Sequence, residues 1–180
     1  MRRSTRSAAR RAFARSAITA LTALTALTPA CGREAFDGRV YHAGRASFRV
    51  GPVPSSWERI DVEGAMLAYH DRASGGSIEV HAQCGRDADD VPLSALTNHL
   101  LIGFTEREVK LEQTLPFDGR EARHTVVYAK LDGVPLALDA FVLKKDGCVY
   151  DLVFVVPPAQ HEANADTFAK FAAGFSTSAE

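Results

Sequence analysis

From residue 118 onward the chain alternates between apolar runs and Asp-Gly pairs: Asp118-Gly119, Asp132-Gly133 and Asp146-Gly147, repeating every 14 residues. Asp-Gly tolerates the positive backbone angles of a tight hairpin turn, so the intervening runs of about 11 residues predict strands joined up and down. The run Glu121 to Leu131 places Ala122, His124, Val126 and Tyr128 on one face and Arg123, Thr125, Val127 and Ala129 on the other. Val134 to Leu143 is apolar on both faces except at Asp139, and Cys148 to Val156 is apolar except at Asp151. Continuous apolar character of this kind predicts central strands covered on both sides.

Upstream, Ala46 to Val50 predicts a short strand and Trp57 to Val62 a further extended piece. Met66 to Tyr69 leads through a Ser-Gly-Gly turn to Ile78 to Cys84, in which Ile78, Val80, Ala82 and Cys84 share a face. Residues Asp90 to about Phe104 predict a helix, with Asp89 or Asp90 as cap, Pro92 in the first turn and Leu93, Leu96, Leu100 and Phe104 along one side. A strand from Glu106 to Leu115 follows. After Pro157-Pro158 a last helix runs from about Gln160 to Phe175, with Phe168, Phe171 and Phe175 on one stripe. The expected fold is α+β: an antiparallel sheet of about six strands ending in a meander, with helices packed on its faces.

The first 30 residues have a different character. Arg2, Arg3, Arg6, Arg10, Arg11 and Arg15 precede an uncharged run, Ser16 to Leu27, too short and too rich in threonine to span a bilayer. Residues 1–30 therefore read as a secretory signal, the alternatives being a cytosolic amphipathic helix or a transit peptide, which shares the Arg, Ser and Ala bias without acids. Leu27-Thr28-Pro29-Ala30-Cys31 resembles the lipobox of bacterial lipoproteins, which implies diacylglycerol on the Cys31 thiol. A plain signal peptidase could also cut after Ala30, and either route starts the mature chain at Cys31. Arg10-Arg11 with Phe13 and Arg15 resembles a twin-arginine export motif, a second route beside general secretion. Residues 31–44 read as a tether of at most about 45 Å, or an arm laid on one domain formed by residues 45–177.

Export changes the charge and the cysteine count. Losing residues 1–30 removes six of 21 basic residues and none of 22 acidic ones, leaving a net charge of -7. An acidic domain argues against nucleic acid as a partner and against adhesion to anionic lipid through basic patches. Of three cysteines, a lipid on Cys31 leaves Cys84 and Cys148 as an even pair. In an oxidising compartment they are candidates for a disulfide, two separately buried thiols being the alternative.

Chemistry is sparse. His81 and Cys84 fall on opposite faces of a strand, and no second pair completes a metal site. His70 beside Asp71 has the same weakness. Ser94, His99 and Asp139 make a triad only on paper, since no nucleophile elbow surrounds the serine. Asp139 and Asp151 stand out inside apolar strands; an edge position, or a partner such as Arg123 or Lys144, is the expected explanation. No metal and no cofactor is expected.

The opening run Ser47 to Trp57, the charged meander, the strand Val149 to Phe154 and the final helix ending in Phe175-Ser176 resemble the Mog1/PsbP α/β/α sandwich, including DcrB-like bacterial lipoproteins. The resemblance covers about residues 45 to 177 and implies a non-catalytic accessory, assembly or chaperone-like role. Two readings follow. One is a membrane-tethered extracytoplasmic binding or assembly factor with an envelope protein as partner. The other is a small hydrolase or metal-dependent enzyme using His81, His124 or the inward carboxylates, which requires that at least two of these side chains meet.

Overall fold

The computed structural model describes residues 35–38, 40–85 and 91–177. The signal at 1–30, Cys31, and the cap at Asp89 or Asp90 lie outside the described residues. Eleven strands are described: β1 Ala35–Phe36, β2 Val40–Ala43, β3 Ala46–Arg49, β4 Glu58–Ile60, β5 Leu67–Asp71, β6 Gly76–Cys84, β7 Phe104–Phe117, β8 Arg120–Leu131, β9 Val134–Lys145, β10 Cys148–Val156 and β11 Ser176–Thr177. Two α-helices, α1 Leu93–Leu100 and α2 His161–Ala173, are placed among them, and a single 3-10 turn, Pro158–Gln160, leads into α2.

The Asp-Gly pairs are hairpin turns. Asp118, Asp132 and Asp146 have φ of 46°, 51° and 54°, and the glycines after them 73°, 81° and 71°. Two successive positive angles are what a two-residue turn needs to match the twist of its strands. The turns join β7, β8, β9 and β10 into the expected meander, which β6, β5 and β4 extend to a seven-stranded sheet in the order β4-β5-β6-β10-β9-β8-β7. All of its pairings are antiparallel.

Alternation along the strands divides the core into two layers. On one face Ile78, Val80, Ala122, Tyr150, Leu152 and Phe154 pack against Phe168 and Phe171 of α2 and against Tyr41 and Phe48. On the other face Val127, Leu138, Ala140 and Val153 pack against Leu101, which follows α1. Burial of each large side chain contributes roughly 1.5–3 kcal/mol, so the double layer fixes the register of β8 to β10.

Two helices differ from expectation, and one segment takes the second of its two expected forms. Of residues 31–44, expected as a tether or as an arm laid on the domain, the described part is laid on it: β1 and β2 form with β3 and β11 a separate four-stranded sheet in the order β1-β2-β3-β11. Tyr41 is 1% exposed and stacks on Phe48 at 5.1 Å, so from Ala35 this segment is part of the folded body. Helix α1 is shorter than expected: Pro92 is its N-cap residue, and Phe104 already begins β7. Helix α2 stops at Ala173, leaving Phe175 beyond its end but still buried. That stop brings two glycines together. Gly51 N donates to the Phe171 carbonyl at 2.8 Å, and a Cβ on Gly51 would overlap the Lys170 carbonyl oxygen.

Candidate functional site

Two polar centres lie inside the seven-stranded sheet, one on each face, and each is built around a carboxylate that stood out in the sequence. Neither is at an edge. β10 runs between β6 and β9, and β9 between β10 and β8. Nor are Arg123 and Lys144 their partners: Arg123 pairs with Glu112 at 2.5 Å, and Lys144 donates to the Val91 carbonyl at 3.0 Å.

On the α1 face a cavity of about 430 Å³ opens between Ala95, Leu96 and His99 of the helix and Gln83, Cys84 and Val149 of the sheet. Asp151 follows Val149 by two residues, hence on the same face, and is opposed in register to His81. One Asp151 carboxyl oxygen is sealed from solvent and has no hydrogen-bond partner among the described residues. Burial pushes this carboxyl up to about 6, against the opposing pull of His81 and His99. The imidazole of His81 is held at Nε2 by Glu79 at 3.0 Å and at Nδ1 by the Gly64 carbonyl at 3.1 Å. The Glu79 hydrogen bond is the main reason its pKa is raised, with burial opposing.

Cys84, one of the residues lining this cavity, is not a free thiol. Cys84 and Cys148 are bonded to each other across β6 and β10, at positions directly opposed in the strand register. Cys84 thus cannot act as a thiol or metal ligand beside His81, which projects from the opposite face of β6.

On the α2 face Asp139 is 6% exposed and serves two histidines. His124 Nε2 lies 2.7 Å from Oδ1, and His161 Nε2 lies 3.4 Å from Oδ2. A carboxylate only accepts, so both histidines direct an Nε2–H at it, and His161 Nδ1 lies 3.3 Å from the Tyr128 hydroxyl. His124 stacks on Phe141 with ring centres 4.0 Å apart, which holds the imidazole flat against the core. The outer end of the chain of contacts meets a cavity of about 380 Å³, lined by Lys110, Leu111, Val126, Tyr128, His161 and Glu162.

His124 and Asp139 are therefore brought together. His81 and Asp151 also meet, but on the other face, so the four residues do not form one site. The paper triad fails for the same reason: Ser94 and His99 are on α1, whereas Asp139 faces α2. His70 hydrogen-bonds Ser77 at 3.2 Å, and the Asp71 carboxylate accepts from the Ser74 amide and hydroxyl. Among the described residues no group of three His, Cys, Asp or Glu side chains is placed to hold a metal ion. His161 went unnoticed in the sequence, and Tyr128 was placed on the face of His124 without a role. A histidine three residues after the Pro-Pro pair, in the first turn of the last helix, was the available signal, and nothing local connects it to Asp139.

No protein-family model matches the chain, and no curated protein matches it. Solved structures do. The solution structure of cyanobacterial PsbP (CyanoP) from Synechocystis sp. PCC 6803 superposes with a TM-score of 0.55 at 14% identity, covering 75% of this chain and 95% of that one. LpqN of Mycobacterium tuberculosis, described as involved in cell envelope biogenesis, gives 0.53 at 14% identity, over 76% of this chain and 87% of its own. A Bacteroides thetaiotaomicron protein gives 0.51 at 14% identity, over 74% of this chain and 46% of that one. The chain has the PsbP fold, as the opening, meander and final helix led one to expect. No described helix is long and apolar enough to cross a membrane.

Proposed function

We propose that this PsbP-fold chain is exported, is held at the cell envelope by a lipid on Cys31, and acts there as a non-catalytic binding or assembly factor for an envelope protein. The observation that carries this reading is where the reactive groups are spent. Asp139 is engaged by two histidines, Glu79 holds His81, and Cys84 is closed in a disulfide, while an apolar cavity of ligand size remains open beside α1. A largely apolar cavity of this size suits a small ligand or a partner's side chains. Support comes also from the export signal at 1–30 and from LpqN, which shares the fold and is described as an envelope-biogenesis protein.

Palmitate labelling of wild type and Cys31→Ser, with crosslinking and pull-down from the envelope, tests both parts. A label confined to wild type, and a crosslinked envelope protein, are the expected results; no label in wild type removes the anchor. A second reading, a small extracytoplasmic hydrolase, is favoured by the 2.7 Å contact of His124 with Asp139. It requires ester turnover that disappears in Asp139→Asn while the fold is kept.

A further inference from the structure

A third cavity, of about 490 Å³, lies where the four-stranded sheet meets the seven-stranded one, with Phe36, Arg49, Val53, Tyr69 and Gly174 among its walls. Arg49 is the last residue of β3, and its exposed side chain belongs to the cavity lining. Arg59, on the other sheet, is outside the lining but lies against two of the lining residues. It is opposed in register to Tyr69, and its guanidinium sits 5.1 Å over the Phe36 ring, so two cavity walls carry its charge. That charge acts on the Tyr69 hydroxyl, which burial otherwise pushes above the usual phenol range.

Neither guanidinium has a carboxylate partner among the described residues. The nearby acid, Asp37, is turned to the Val40 amide at 2.7 Å. In a mature chain with net charge -7, one arginine in the lining of a cavity and a second against its Phe36 and Tyr69 walls, neither paired with a carboxylate among the described residues, give this spot a local positive charge. Guanidinium pairs match the oxygens of a phosphate with two parallel N–H donors each, and an aromatic wall takes the apolar part of a ligand.

We propose that the Arg49–Arg59 cavity binds a phosphate group, and that the natural bearer is a phospholipid headgroup. The choice of bearer rests on the lipid anchor proposed above: Phe36 is five residues from Cys31, at most about 18 Å of extended chain, so this cavity would lie within reach of the headgroup layer. The phosphate site itself stands on the two arginines and does not need the anchor. Bound there, a headgroup would orient the domain on the membrane and leave the α1 face turned toward partners.

Isothermal titration of the full chain carrying Cys31→Ser separates these statements. The probes are dihexanoyl phosphatidylglycerol, dihexanoyl phosphatidylcholine and inorganic phosphate, each at about 50 and 300 mM salt. Saturable binding of a phospholipid is expected, weakened at high salt and weakened at least ~10-fold by Arg49→Gln and by Arg59→Gln, the loss of one charge-assisted contact. Both arginines are exposed and without a carboxylate partner among the described residues, so melting temperatures should stay within a few degrees of wild type, the loss of the Arg59–Phe36 contact included, and confirm that the variants fold. Arginine-dependent binding of inorganic phosphate with no phospholipid binding would keep the phosphate site and overturn the headgroup as its source. No binding of any probe, or binding indifferent to both substitutions, would overturn the site. Palmitate labelling is read on wild-type Cys31 alone, so loss of the anchor and loss of the cavity are separate results.

Discussion

Asparagine at position 151 would remove a buried charge while keeping the shape of the side chain. The Asp151 carboxyl rises from its ordinary 3.8 to about 6, mainly because β10 places it inside the sheet beneath α1. Two pKa units at 1.36 kcal/mol each amount to ~3 kcal/mol of difference between the protonated and ionised forms. The folded state binds this proton more tightly than the unfolded chain does. Stability from this group is therefore complete below about pH 4, falls as the pH rises toward 6, and is absent above that. His81, whose pKa is also raised in the fold, contributes stability that is full below its unfolded value near 6.5 and is lost as the pH rises through the folded value. The wild-type protein should lose stability in two steps on going from acid to mildly alkaline conditions. In Asp151→Asn the first step should vanish, and the second should shrink because the Asp151 charge that favours protonated His81 is gone. Urea unfolding followed by circular dichroism at intervals between pH 4 and 8 measures this. The stability of Asp151→Asn relative to wild type should rise by ~2–3 kcal/mol from pH 4 to pH 7. A difference that stays constant with pH, whatever its size, would show that Asp151 titrates as an ordinary exposed carboxyl, and the argument from burial would fall.

Other perturbations test the remaining parts of the fold. Reducing the Cys84–Cys148 bond opens a link between residues 64 apart and should cost up to ~4 kcal/mol in the chain-entropy account, seen as a lower urea midpoint. Intact mass should rise by two hydrogens on reduction in wild type and stay unchanged in Cys84→Ser. Asp139→Ala strands the Nε2 N–H donors of His124 and His161 in the core and should destabilise by roughly 1–3 kcal/mol for each donor; Asp139→Asn, which keeps an acceptor, should cost clearly less. Gly51→Ala drives a methyl into the Lys170 carbonyl and should lower the melting temperature by well over 5 °C, whereas Gly64→Ala, in open space, should fall by no more than a few degrees despite its positive φ.

How far the sequence reached depends on the range of the force involved. The meander was legible because an Asp-Gly turn is decided by two residues and an alternating strand by its own side chains. Central strands showed themselves as apolar runs on both faces. The cysteine pair followed from counting, and the register that sets Cys148 opposite Cys84 then allowed the bond. The four-stranded sheet was not legible: Ala35–Phe36 and Val40–Ala43 are too short to show a period, and they are strands because Tyr41 stacks on Phe48, which finds Tyr150 and Phe175 far along the chain. The polar centres were half legible. Asp139 and Asp151 are conspicuous as charges in apolar runs, but their partners are chosen by strand pairing and helix docking. The residues opposite or above a position belong to other elements, so His81 and His99 fall to Asp151, and His124 and His161 to Asp139. Local sequence determined the turns, the strand faces and the signal-like start. Only the tertiary structure decided which side chains share a cavity, because that depends on packing between segments that are distant along the chain.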